Sequence, residues 1–488
     1  MKKLLLSSSL FFISFFAYSQ HEGAAFTATG RAGVATSFVT DYQAIGINPA
    51  NLGYKTRYET KHFTIGLGEG SYSAYTSAIK KGDFKQSLLD INSVNFDYNQ
   101  KVQAANNFIN QPVALNFDVT FLGFAIQTEK MGGLAFSVTE SYSWFSRFSG
   151  PMTELMFLGK TSSYFNELEL KDGRRVPNDP SQSYHHPDSI ARGIRSVNQF
   201  TLGQLLAGST MKNHWYRTYN VAYGREIITT DLLTISGGIG LKYVQGFNYI
   251  DAHSRGGRLS AVGAFNPALD IDFGVAANTN PSAVNNTNYQ PIGQGYGFDI
   301  GVNAVFNEKI KVAMAITNIG SVTYRGNIYR MEDSTLVSIS TEGMASYNLF
   351  AEAPNLVAGQ GFFKWKGEEK LVVSLPTMFR LGGSVKLNDL AEVGIDLVAP
   401  INKAAGNIEK PIIAVGGDVY PVRWIKLSTG MNLGGNYTGK ANIPFGVMII
   451  AGENGTWEFG VATRDIVTYL SQNKPNYSLA IGLLRFRI

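Results

Sequence analysis

The chain has 488 residues, a formal net charge of +5, 16% charged residues, 12% aromatic residues and no cysteine. So weak a positive charge excludes a protein built around a basic nucleic-acid-binding face, and the lack of cysteine excludes a disulfide scaffold. The aromatic content argues against disorder, while the low charge and the 52 glycines depart from ordinary soluble composition.

Lys2 and Lys3 precede an apolar run from Leu4 to Tyr18, and Ala17-Tyr18-Ser19 puts small residues at the exit. This is the pattern of a secretory signal peptide over residues 1–19, cleaved before Gln20. Its apolar middle falls short of the ~20 residues that a membrane helix needs. No later run is long and apolar enough to span a bilayer as a helix. A closed β-barrel is the other structure that satisfies every backbone group in lipid.

The next stretch, Gly30–Gly53, reads GRAGVATSFVTDYQAIGINPANLG. Pro49 fixes its own φ and biases Asn48 away from helix. Asn48 can close a turn on nearby backbone groups, and Gly30, Gly33, Gly46 and Gly53 permit close approach to a wall. Ahead of a barrel pattern, this stretch is expected to be a plug, or hatch, over residues 20–56, with the barrel over residues 57–488. Its motif residues are Gly30, Arg31, Gly33, Asp41, Asn48, Pro49 and Ala50, and Arg31 and Asp41 are expected to pair with Asp118, Asp299 or Arg380.

Many downstream segments alternate with period two, as half-buried strands do. Val113, Leu115, Phe117, Val119 and Phe121 alternate with Ala114, Asn116, Asp118 and Thr120; Tyr296, Phe298, Ile300 and Val302 alternate with Gly297, Asp299, Gly301 and Asn303. The segments starting at Leu134, Leu233, Ile310, Phe379 and Trp457 behave alike. The non-apolar face is small, with scattered single charges, which suits a lumen packed around something inside. Asn116, Asp118, Asp299, Asn303, Arg380 and Lys386 are the lumen-facing polar candidates. Glu140 interrupts an apolar face and is expected at a strand end near the headgroups.

Short turns, such as Asn307-Glu308-Lys309 and Asn388-Asp389-Leu390, contrast with long insertions near 79–112, 150–213, 255–294 and 325–373. That asymmetry is typical of outer-membrane barrels. Two insertions carry helix-like patches, one with Phe84, Leu88, Leu89 and Ile91, the other with Phe200, Leu202, Leu205 and Leu206. Tyr477–Ile488 is a final strand suited to pairing with the first. The expected fold is all-β: a transmembrane antiparallel β-barrel of about 14 strands, bacterial single-chain barrels having even numbers, with an N-terminal plug and long surface loops.

No GxSxG, P-loop, HExxH or EF-hand pattern occurs. Of the six histidines only His185-His186 adjoin, and neighbours in a loop rarely share one ion. No catalytic residue, cofactor or metal is expected, and the chain does not read as an enzyme.

Gly30-Arg31-Ala32-Gly33, Asp41, Ala44 and Asn48-Pro49-Ala50 resemble the N-terminal segment of the FadL/TodX-like outer-membrane barrels. Thr317-Asn318-Ile319-Gly320 and Leu375-Pro376-Thr377-Met378-Phe379-Arg380-Leu381-Gly382 resemble the PorV-like branch of that superfamily. In style the chain is similar to uncharacterised Bacteroidetes barrels of this group. The resemblance implies a fourteen-stranded barrel with an internal hatch, in the lipid of a Gram-negative outer membrane. Its channel branch implies uptake of hydrophobic small molecules. The PorV-like branch implies the alternative, a protein-handling barrel or surface scaffold that engages exported proteins. Neither branch implies nucleic acid as a partner.

Overall fold

The computed structural model describes residues 26–54, 62–80, 96–128, 131–181, 189–284, 288–347, 363–435, 441–452, 455–471 and 476–488. The signal peptide read over residues 1–19, the helical patch at Phe84–Ile91 and the His185-His186 pair lie outside them.

The alternating segments form strands, fourteen of which make the wall. They are β1 (Phe63–Thr76), β2 (Pro112–Thr128), β3 (Gly132–Arg147), β4 (Thr210–Thr229) and β5 (Leu233–Arg255). Next come β6 (Gly293–Phe306), β7 (Ile310–Tyr324), β8 (Met378–Asn388), β9 (Ala391–Pro400) and β10 (Ile412–Val422). The last are β11 (Ile425–Gly434), β12 (Phe445–Ala451), β13 (Trp457–Thr463) and β14 (Asn476–Arg487). Each pairs antiparallel with the next. β14 returns to β1, from Thr64 opposite Arg487 to Tyr75 opposite Asn476, and closes the ring.

The connections sort by length as expected. Short turns, including Thr230-Asp231-Leu232, lie at the end where β1 starts and β14 finishes; the long insertions lie at the other. β4 departs from clean alternation. Its outward positions include Arg217 and Arg225 among the aromatics, so its apolar face is broken.

The outward face is apolar and open. Ile239, Leu241, Tyr296, Phe298, Ile300 and Val302 are all exposed, while the intervening Lys242, Asp299 and Asn303 are buried. In water such a band would be unstable at about 25 cal/mol per Å²; in hydrocarbon it is matched. Tyr219, Tyr243 and Tyr296 form an outward row with ring centroids 6.1 and 5.5 Å apart, as in the aromatic girdles of membrane barrels. Glu140 is not at a strand end. It lies within β3 on the outward face, screened by partners: Arg217 donates to it at 2.6 Å, and Trp215 and Tyr289 each at 2.8 Å.

The long connections build an ordered cap. Arg258–Ala264 folds back on β5 and is extended by Ile328–Met331 and Trp365–Glu368. Glu167–Leu170, Arg175–Pro177, Ile190–Ile194 and Ser338–Ile339 make a separate small sheet. The helix Tyr98–Phe108 starts with a capping box from Asp97 and Gln100. It packs Phe108 against Phe157 of a second helix, Gly150–Leu158. The expected patch at 200–206 is a short helix, Leu202–Leu205, that buries Leu202, Leu205 and Leu206 and leaves Phe200 exposed.

Replacing outward Ile300 by lysine is expected to lower barrel stability by about 2–4 kcal/mol in a lipid vesicle. Urea unfolding followed by gel mobility would measure this, and a cost no greater than that of Ile300→Ala would place Ile300 outside the hydrocarbon.

Candidate functional site

Residues 26–54 lie inside the ring and are buried almost throughout. The segment is a chain of tight turns rather than one element: a short helix at Phe26–Thr29 and 3-10 turns at Asp41–Ala44 and Pro49–Leu52. Its bends need left-handed backbone at Gly33 (φ +86°) and at Asp41 (φ +52°), a region that Asp tolerates better than most residues. Asn48 caps the last turn, accepting from Ala50 N–H at 3.1 Å ahead of Pro49. Its amide also donates to Thr36 O and to Val302 O of β6, each at 3.2 Å. Asn51, which the motif did not single out, does as much: it donates to Thr36 O and Val39 O and accepts from Asn303 at 3.0 Å.

The wall is glycine where the segment touches it. The Tyr42 ring occupies the space a Cβ would take at both Gly66 and Gly123. Pro49 lies against Gly224 and Gly238, Asn48 against Gly301, Arg31 against Gly416 and Phe26 against Gly482. Gly30 meets Gly446, and Gly53 abuts the backbone of Arg225. The small inward face is therefore the imprint of this segment.

Charges tie it down, though not to the partners expected from sequence. Arg31 pairs with Asp418 of β10 at 2.6 Å, and Lys426 approaches the same carboxylate at 3.4 Å. Arg485 of β14 pairs with Asp41 at 2.5 Å and also with Glu458. Asp396 of β9 accepts from the Ala35 and Thr36 backbone N–H groups, both at 2.8 Å, and from the Thr36 hydroxyl at 2.7 Å. Tyr42 donates to Glu69 of β1, and Gln43 adds a bond to the same carboxylate at 3.1 Å. The anchoring residues that sequence reasoning missed, Glu69, Asp396, Asp418 and Glu458, each had a visible signal: a lone charge on the small-residue parity of a strand.

Of the lumen candidates, Asn116, Asp118, Asp299, Asn303 and Arg380 are buried and inward. Asp299 pairs with Lys242 at 2.9 Å, and Asn116 accepts from Ser143 at 2.7 Å. Lys386 differs. It sits at the short-turn rim, exposed, with its ammonium 2.8 Å from Asp389 in the adjoining turn. Its parity is inward, but the ring has opened to solvent at that height.

Beside the segment is a cavity of about 170 Å³. Tyr42, Gln43, Ile45, Gly46 and Ile47 form one side, and the other is formed by β2 to β5 together with Glu69 of β1, Asn318 of β7, Leu375, Pro376, and Met378 and Arg380 of β8. His214, stacked on Tyr216 at 4.5 Å, lines it as well, and the connection that carries Ala405 and Gly406 folds against His214. The two downstream motifs meet here. Asn318 donates to Pro376 O at 3.2 Å, Thr377 donates to Asn318 O at 3.0 Å, and Asn318, Leu375 and Pro376 line the space.

A model of a family described as a family of unknown function (DUF5723) matches residues 184–451, over half of the chain. The chain belongs to that family. No curated protein sequence matches it. Among solved structures it is similar to the toluene transporter TodX of Pseudomonas putida, at 10% identity and a TM-score of 0.45, over 96% of this chain and 99% of that one. It is also similar to a FadL homologue of Pseudomonas aeruginosa, at 10% identity and a TM-score of 0.40, over 96% and 98% of the two chains. These are similarities of outline.

Arg485→Met would leave Asp41 and Glu458 without their shared cation. Breaking a buried pair from one side is expected to cost about 3–5 kcal/mol. Adding Asp41→Asn and Glu458→Gln should restore most of that loss in urea unfolding, and a triple variant as unstable as the single one would show that the charges are not the cause.

Proposed function

We propose that this DUF5723 member is a FadL-like channel of a Gram-negative outer membrane that takes up hydrophobic small molecules, with residues 20–56 as its plug. The observation that carries the reading is the cavity of about 170 Å³ between the N-terminal segment and the wall. The lumen contains a stopper with a vacant flank, which is what a gated conduit requires.

The lining suits a small ligand. Ile45, Ile47, Val244, Leu375 and Met378 supply apolar surface beside a set of polar groups, the usual make-up of a ligand pocket. The fastening of the segment suits a movable part. Beside apolar clusters that join Phe26, Val34, Val39 and Leu52 to the wall, it is held by hydrogen bonds and ion pairs, and a typical hydrogen bond contributes only about 0.5–1.5 kcal/mol net because water can replace the partner. If the lumen fills with water as the segment shifts, the freed groups are re-solvated. No feature of the described residues separately favours a protein-handling barrel.

The chain contains no native cysteine, so a tether can be introduced cleanly. Asn48 abuts Gly301 of β6, and the pair Asn48→Cys with Gly301→Cys is placed to pin the segment to the wall. In liposomes, the oxidised variant is expected to lose most uptake of a hydrophobic probe and to regain it on reduction. Equal uptake in both redox states would sink the movable-plug reading.

A further inference from the structure

The cavity has a second face, and it is covered with hydroxyls. The register puts Thr120 of β2 opposite Thr139 of β3, and Thr139 opposite Thr218 of β4. In the next row Ser141 lies opposite both Asp118 and Tyr216. All of these line the cavity. They form a continuous inward patch across three strands. Thr139 and Thr218 bond to each other at 2.5 Å, whereas the buried Ser141 hydroxyl has no partner.

The charges around this patch disfavour an anion. Lys242 is already paired with Asp299 at 2.9 Å and bonded to Asn318. Arg380 lies in the field of Asp396. Glu69 and Asp118 add two more carboxylates to the lining. A carboxylate or phosphate head would meet acidic groups and cations that are already matched. Serine and threonine hydroxyls both donate and accept, and a carboxylate accepts. A neutral head with several hydroxyls can satisfy all of them, including Ser141. A purely apolar molecule would leave the Ser141 hydroxyl without a partner, which a buried site resists.

We infer that this polar wall receives an uncharged, hydroxyl-rich head group, so that the cargo is an amphiphile with a sugar- or polyol-like end and an apolar body. The inference rests on the channel reading above and specifies the chemistry of what passes. The residues that select it are Ser141, Thr139 and Thr218, with Asp118 as acceptor.

The test is calorimetry on the full chain in lipid nanodiscs with four probes of equal chain length: hexyl glucoside, hexanoate, hexyltrimethylammonium and hexanol. Hexyl glucoside is expected to bind about tenfold more tightly than the other three, since a site built for hydroxyls penalises ligands that lack them. Thr139→Val with Thr218→Val should weaken hexyl glucoside several-fold and leave hexanol unchanged. Ser141→Ala, which deletes a hydroxyl that supports no other group, should act in the same direction and guards against misfolding of the double variant. Tighter binding of hexanoate or of the ammonium probe, or equal binding of all four, would overturn the head-group assignment. The channel reading would then stand or fall on the redox tether alone, because that assay uses transport and no hydroxylated probe.

Discussion

The structure depends on a closed ring of backbone hydrogen bonds. Lipid offers no partner for an unpaired N–H or C=O group, so a sheet that crosses it cannot have edges. The return of β14 to β1 meets that requirement. Two consequences follow. Outward side chains need no polar partner, so Ile239, Leu241 and Ile300 can face hydrocarbon. A fourteen-stranded ring is also too wide to be filled by its own inward side chains, and these are small. Something else must occupy the lumen, and the segment 26–54 does so.

That segment and the wall are shaped together. Tyr42 fits because positions 66 and 123 are glycine, and Pro49 fits because positions 224 and 238 are. Burying charges in the lumen is tolerable only in pairs. Arg31 with Asp418 and Asp41 with Arg485 join the segment to β10 and β14, while Asp396 grips its backbone from β9. Beside the segment, bounded mainly by β2 to β5 and reaching Glu69 of β1 and Arg380 of β8, lies the cavity. The segment also packs against that side of the wall, with Tyr42 at Gly123 and Pro49 at Gly224 and Gly238, and the cavity opens beside residues 42–47.

The cap follows a different logic. Its helices and small sheet bury apolar clusters, such as Phe108 with Phe157, as soluble domains do. Glu140, Arg217 and Tyr289 then fasten one of its connections to the outer wall.

Much of this was legible in the residues. Alternation is a local, period-two property, so the strands around Val113–Phe121 and Tyr296–Asn303 could be read without knowing their neighbours. Turn length is equally local, and so is the Asn48-Pro49 turn, whose cap bond spans two residues. Arg217 stands on the outward face of β4, where its distant partner Glu140 makes it tolerable. The partners of Arg31 and Asp41 were not legible at all, because those bonds join residues 387 and 444 positions apart. Lys386 had the right parity and the wrong height. The sequence by itself therefore determined which side of each strand faces lipid and where the chain turns. Only the tertiary structure decided which charge meets which, where the cavity lies, and that Asn318 meets Pro376. Those outcomes depend on ring closure and on register accumulated over all fourteen strands, and no single segment contains that information.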